Sequence, residues 1–486
     1  MVEQVIKVTK LRRENLRAKR RKCQQYPRRK ATKKSSFPLS TPLRRNDGTG
    51  LIGMVQSLIW MGWGTITQSM YFAYPTWNDG DIGLHGNWGE ICFLIFAIPA
   101  SWLVDTHGAR ISGLVCTGVM MVGAGVRCLQ WLFMDYSNSG MIFKVLAHIG
   151  GILNGSMGPF VVTLPSVVSS LWFPPNERTL ATGLSWLMLE SGNALGFIIG
   201  PLMVHSPDMN RTLQPNASHT EEIHTIKLEV MYFMFLHAGL CGLLFLLVVI
   251  YFPSRPDSLP SFTAGEKRED FITGLKTIFT NRSAMMVVFA FTISQGVQEA
   301  YYPVMALNLT PIGVSEATVG WIGFIASLVS SFATLASSYW ADRLHGWFKR
   351  TLVVLICVAI AFFVWQSLIV MGILPYSLVQ LYISTIGGMA VNYACTPLFF
   401  ELGSEVAYPA GEGLMAGTMT FFWTVLGIVY LSVFFFKNIG YTWMNWTMMI
   451  CLVVTLPFIL LIKENFKRTD IDNNNDNKFR EKDEEN

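Results

Sequence analysis

Three glutamates, Glu90, Glu190 and Glu299, stand inside apolar runs of about twenty residues, the length that crosses a bilayer. A charged carboxylate at mid-membrane costs about 2.5–3.5 kcal/mol on insertion scales, so it faces a cavity or a partner. Glu190 is about twelve residues into its run, roughly 18 Å at 1.5 Å per residue, which is close to the midplane. Glu299 lies nearer the opposite face, and Glu90 sits about eight residues in from that face. Such groups can take up a proton on one side and release it on the other, and His148 can do the same. The other reading is that each is neutral and bonded to a neighbouring helix.

Aromatic and amide side chains occur in the same runs. Gln56, Trp60, Trp88, Asn154, Tyr301, Tyr302 and Asn392 can stack on a flat ring or a cation and bond to its hydroxyls. Trp60 and Trp63 are three apart, so on one helix they share a face, either lining a cavity or packing on neighbours. Tyr301 and Tyr302 are adjacent, so only one of them is expected to face a cavity.

Two short turns carry a different chemistry. SWLVDTHGAR (101–110) places Asp105, Gly108 and Arg110 between two apolar runs, and SYWADRLHGWFKR (338–350) does the same with Asp342, Arg343 and Gly346. The carboxylate and guanidinium of such a turn can pair, or bond to helix ends, and latch neighbouring helices in one state. Glu401 and Glu405 fall near the same membrane face and suit gating or capping. A weaker echo relates Glu177 and Ala181 to Glu412 and Ala416. Turns in corresponding places suggest a duplicated six-helix unit.

The elements that must position these groups are set by composition. The 486 residues are 51% hydrophobic and 14% charged, with mean hydropathy +0.38. A soluble domain would carry about a quarter charged residues. Twelve runs are expected: 51–74, 82–104, 111–133, 141–171, one ending near 204, one ending near 252, 283–307, 317–340, 351–373, 378–400, 411–436 and 441–462. The fold class is therefore all-α and polytopic, with a basic arm (1–50), a first half (51–252), a linker (253–282), a second half (283–462) and a polar tail (463–486). The arm and tail read as disordered. Arg127 should snorkel to the interface. Pro159 and Pro165 should kink or break the fourth run, and Asn176 should cap the fifth.

With both termini cytoplasmic, 32 of the 37 Lys and Arg residues fall inside, sixteen of them in the arm. This bias orients the chain. It also puts the sequons at Asn210 and Asn216 outside, where glycosylation occurs. The eight cysteines are scattered singly, with no metal-ligand spacing. No basic patch in a folded soluble region is interleaved with aromatics, so no nucleic-acid partner is expected. No nucleophile triad, metal cluster or nucleotide loop suggests an enzyme, and no cofactor is implied.

The turn at 101–110 resembles the loop motif of the major facilitator transporters, with Ser101 and Thr106 departing from the usual glycine and basic residue. QSLIWMGWG (56–64), LWFPPNER (171–178), LNLTPIGVSEATVGWIGF (307–324) and PLFFELGSEVAYPAGEG (397–413) are similar to segments of solute carrier family 49, which includes the feline leukaemia virus subgroup C receptors. The likeness spans about residues 51–465. It implies a major facilitator fold of two six-helix halves, a lysosomal or late-endosomal membrane, and proton-linked export of a small solute. The solute implied is pyridoxine for one member and choline or haem for the receptor relatives. Plasma-membrane location, and a receptor or scaffold that moves nothing, are the alternatives. The partners expected are a small-molecule substrate, protons and the lipid bilayer, with the chain a monomer. The acidic dileucine candidate, Asp47 with Leu51 and Ile52, abuts the first run and reads as the start of that run.

Overall fold

The apolar runs fold as helices, and every element among the described residues is helical. The computed structural model describes residues 40–77, 79–134, 136, 138–205, 217–252, 260–261, 269–309, 312–314, 316–343, 347–433, 443–472 and 474. The arm up to residue 39, Asn210, Asn216 and Gly346 lie outside them.

In the first half, α1 is Ser40–Met61, so it starts before the expected Leu51. The chain then leaves the α-helix at Gly62 and passes a 3₁₀ turn, Gly64–Ile66, into α2, Thr67–Ala73. Trp60 and Trp63 therefore do not share a helix face: Trp60 stays on α1, and Trp63 stacks at 5.9 Å on Trp77. Helix α3, Asp79–Cys128, holds the second and third runs and bends at Gly108, whose φ of 83° and ψ of 171° are non-helical. This backbone conformation favours glycine, which explains the residue's place in the turn. Helix α4, Ser139–Trp172, continues through Pro159 and Pro165 without the expected break. Helices α5, Arg178–Met203, and α6, Ala217–Tyr251, complete this half.

A short amphipathic helix, α7 (Phe271–Thr280), leads into α8, Arg282–Tyr301. Asn281 caps α8 by accepting from Ser283 N and Ala284 N, and its amide donates to Val406 O at 2.9 Å. A turn and α9, Met305–Leu309, finish the seventh run. Then come α10, Glu316–Arg343, and α11, Phe348–Val370. The tenth run is split into α12, Leu378–Tyr393, and α13, Thr396–Ala407, with Pro397 in the first turn of α13, where its missing N–H costs nothing. Helices α14, Glu412–Ser432, and α15, Trp443–Leu461, follow.

Seven described helices (α3, α4, α6, α10, α11, α14 and α15) are long and apolar enough to cross a membrane. The runs left out are the first, fifth, seventh and tenth. Each carries inward polar groups: Gln56 and Ser57, Glu190 and Asn193, Gln298 and Glu299, and Glu401 and Glu405. The tenth is also divided into helices of 16 and 12 residues, each too short to span alone.

Residues Pro42–Asn486 form one compact unit, and Met1–Thr41 form another of which only Ser40 and Thr41 are described. One large apolar cluster is drawn from the second half, joined by Val162 and Trp186. Two smaller ones belong to the first half: one around Ile52, Val104 and Val248, and one around Trp63, Trp77 and Phe143. Two expectations fail here. Arg127 does not snorkel but is 2% exposed, with its guanidinium 5.2 Å from the Trp63 ring centroid. The tail does not stay unstructured throughout, because residues 467–472 are helical and Arg468 is buried.

Candidate functional site

A cavity of ≈ 120 Å³ lies where the four polar runs meet. Helix α1 brings Gln56 and Trp60, α3 brings Glu90 and Phe93, and α5 brings Trp186, Glu190 and Asn193. From the second half, α8 supplies Glu299, α12 Tyr393 and α14 Trp423. A side recess shares Glu190, Asn193, Glu299 and Tyr393 and adds Tyr302, Ser327 and Ser330.

Local sequence explains these placements. Trp186, Glu190 and Asn193 are four and three apart, so one face of α5 presents an indole, a carboxylate and an amide together. Gly89 makes room for Trp60, since a Cβ there would lie 1.9 Å from the indole. A Cβ on Gly192 would lie 2.1 Å from Met54 O, so α1 and α5 touch backbone to backbone and hold Gln56 and Glu190 in register. Asn193 Nδ2 donates to Glu190 Oε2 at 3.4 Å, and the Tyr393 hydroxyl donates to Glu299 Oε2. Glu299 is within electrostatic reach of both Glu90 and Glu190. Three carboxylates and three indoles thus surround one small space, and none of its described lining residues is Lys, Arg or His.

The remaining candidates lie elsewhere. Tyr302 lines the recess and donates to Gly323 O at 2.6 Å. Tyr301 is buried behind it, where its hydroxyl accepts from Asn308 at 3.1 Å and Gln366 at 2.9 Å. Asn392 is also buried, donating to Ser294 O at 3.0 Å and Gln298 Oε1 at 2.8 Å, which ties α12 to α8. Trp88 and His148 bond to each other, Nε1 to Nδ1 at 3.0 Å, beside the Trp77 ring and away from the cavity lining. Asn154 is buried, and its side-chain atoms meet no partner among the described residues. The tryptophans at 186 and 423, with Tyr393, were not singled out from the sequence. The spacing of Trp186 to Glu190 was the available signal.

At one end of the bundle the two turns form matching latches. Asp105 accepts from Gly413 N at 3.1 Å and Leu414 N at 2.7 Å, capping α14. Asp342 accepts from Thr179 N at 3.0 Å and Leu180 N at 2.6 Å, capping α5. A carboxylate suits a helix N-terminus because it meets free N–H groups and the positive end of the helix dipole. Asn176 does not cap α5; the cap position is Glu177, whose side chain makes no capping bond, and the capping carboxylate comes from α10 instead. Four residues before each Asp, a serine bonds back to its own helix: Ser101 to Ala97 O and Ser338 to Thr334 O, both at 2.7 Å. Each serine lies against a glycine four residues after the first capped N–H, Gly417 and Gly183 respectively. The repeat is therefore real in the helix ends, but its register pairs Gly413 with Thr179. The sequence echo of Glu177 with Glu412 is one residue out.

The arginines of the two turns act separately. Arg110 donates to Val249 O at 3.3 Å, and Arg343 stacks on Tyr339 of its own helix at 4.3 Å. The cation that meets Glu401 and Glu405 is Arg468, from the tail. Its Nη2 bonds Glu401, its Nε Glu405 at 2.9 Å and its Nη1 Glu412 at 3.4 Å. Burial alone would lower the pKa of Arg468, but the three carboxylates outweigh it and hold the guanidinium above its usual range. Thr469 Oγ1 adds a bond to Glu405 at 2.7 Å. Asp472 pairs with the buried Arg178 at 3.1 Å, and Ser261 of the linker accepts from the same nitrogen at 2.8 Å.

Comparison with known proteins agrees with this architecture. The model of the Major Facilitator Superfamily matches residues 48–431. The solute carrier family 49 member 4 homolog of Xenopus laevis is 31% identical over 430 residues, covering 87% of this chain and 91% of that protein. The choline/ethanolamine transporter FLVCR2 of Homo sapiens is 24% identical over 393 residues, covering 78% of this chain and 68% of that one. Among solved structures, the fucose:proton symporter FucP of E. coli superposes with a TM-score of 0.68 at 13% identity, covering 87% of this chain and all of that chain, a likeness of fold. Matching latches, a cavity between two sets of helices and these similarities make the chain a multi-pass membrane transporter, not an enzyme, that belongs to the Major Facilitator Superfamily and, within it, to solute carrier family 49.

Proposed function

We propose that the chain carries a small organic cation or protonated heteroaromatic across the membrane by alternating access, binding it in the cavity between Glu90, Glu190 and Glu299. The observation that carries this reading is the pairing of three carboxylates with the indoles of Trp60, Trp186 and Trp423, with no basic lining residue among the described residues. Indole faces attract cations, and mutually repelling carboxylates are relieved by one. Pyridoxine protonated on its ring nitrogen offers a flat cation with hydroxyls for Gln56 and Asn193. A carboxylate of the three that the cation leaves unpaired can carry a proton in the same direction, from an acidic lumen to the cytosol, which couples export to the pH difference. The charge bias supports a cytoplasmic Asp105 face, and the family likeness favours the lysosomal membrane.

Choline is the second reading. It fits an aromatic box without hydroxyl partners on a ring, and related chains carry the name choline/ethanolamine transporter. The deciding experiment is uptake of radiolabelled pyridoxine and choline by cells carrying the protein at the plasma membrane, at acidic and neutral external pH. Acid-stimulated pyridoxine uptake is expected. Choline uptake indifferent to pH would replace pyridoxine by choline, and no uptake of either would sink the cation reading.

A further inference from the structure

We propose that the first half holds a small monovalent inorganic anion, of halide type, as the counter-ion of Arg127. Arg127 is on α3, at the end away from the Asp105 turn, and is 2% exposed. Its guanidinium lies over the Trp63 ring, and its Nε and Nη1 meet no acceptor among the described residues. Neighbouring polar atoms are in the same condition. Gln130, three residues on, is fully buried with both side-chain polar atoms unbonded among the described residues. His237, across on α6 and also fully buried, has both ring nitrogens unbonded among them. His85 packs on Trp63 at 4.4 Å between ring centroids, with its Nδ1 likewise unbonded.

The charged and titratable groups within electrostatic reach of Arg127 are His85, His237, Cys128 and Cys241. None of these groups, among the described residues, is a carboxylate. A guanidinium taken out of water is costly unless something negative meets it. Here the nearby groups that can answer are N–H donors: the guanidinium itself, a carboxamide and an imidazole. Donors of that kind gathered around one positive charge select an anion, and a single net charge selects a monovalent one.

The walls select its size. A Cβ on Gly150 would lie 2.5 Å from Arg127 Nε and 2.6 Å from Gly123 O, so α3 and α4 are in backbone contact on that side. A Cβ on Gly62 would lie 2.8 Å from Phe233, so the turn after α1 is closed against α6 as well. Walls this close favour an ion of one atom over a multi-atom organic acid. A weakly hydrated halide also gives up less water on entry than a carboxylate or a phosphate.

The test is thermal unfolding of the purified full-length chain in detergent, with chloride exchanged for gluconate at constant ionic strength. A ligand that binds only the native state raises the midpoint in a saturable way. The wild type should therefore unfold at a higher temperature as chloride replaces gluconate, with bromide acting likewise, and Arg127→Gln should be indifferent. An identical wild-type midpoint in the two salts overturns the proposal, and so does a halide response retained in Arg127→Gln. Should that variant yield no folded protein, Gln130→Leu keeps the charge and removes one donor. It should need several-fold more chloride for half the shift, and an unchanged requirement overturns the site.

Discussion

Ser101 Oγ occupies the space a side chain on Gly417 would need: a Cβ there would lie 1.6 Å from it. Ser338 stands in the same relation to Gly183, at 2.0 Å. These contacts bring α3 onto α14 and α10 onto α5 closely enough for each Asp to reach the facing helix end. Gly417→Ala should lose the closed state by overpacking, by about 1–3 kcal/mol. Ser101→Gly in the same chain should restore it, because the alanine methyl then fills the vacated place. Thermal stability and uptake of the single and double variants check this, and a double variant as weak as the single one would refute the contact.

Asp105→Ala and Asp342→Ala should each weaken one cap by about 0.5–2 kcal/mol, the usual cost of such a loss. The shift is towards the state open on this face. A cysteine introduced at Thr182, now 2% exposed, should become reactive to a hydrophilic thiol reagent in either variant. Unchanged labelling would show that the caps do not hold this face shut.

Glu299→Gln and Glu190→Gln should each reduce acid-stimulated uptake while leaving the amount of protein unchanged. Full uptake by both variants at acidic pH would remove these carboxylates from proton coupling. Trp423→Leu should act on the substrate instead, raising KM for a cation by roughly 2–30-fold, the factor that about 0.5–2 kcal/mol of cation–π attraction gives.

Arg468→Met should destabilise the chain by about 3–5 kcal/mol, since Glu401, Glu405 and Glu412 would keep their burial and lose their cation. Asp472→Asn loosens the bridge to Arg178 and should cost less. Unfolding midpoints in detergent check the order. A tail variant as stable as wild type would mean that the carboxylates find water when Arg468 leaves.

Much of the fold was legible because periodic apolar runs and Gly108 are local signals. The cavity was half legible. Glu90, Glu190, Glu299, Gln56 and Trp60 could be picked out as polar or aromatic groups in apolar surroundings, and all five line it. Trp186 and Trp423 look like ordinary core residues until the helices are packed together. Asn392 and Tyr301 looked like binding groups for the same reason, yet each is bonded within the second half. Arg127 and Arg468 were misplaced because a cation near a run's end has two solutions, water or burial with partners. Only the tertiary arrangement decides between them: the Glu401 triad took in Arg468, and Trp63 covered Arg127.

The two Asp caps have a bearing on descent. In each, one half gives the carboxylate and the other gives the helix end, and the Ser-to-Gly spacing is the same in both directions. That is the pattern of an isologous interface, in which a patch is complementary to itself through a two-fold axis. A six-helix ancestor pairing with its own copy would make both caps from one set of residues. Fusion in tandem would leave the two sets free to drift, as the different residues at the corresponding positions Thr179 and Gly413 illustrate.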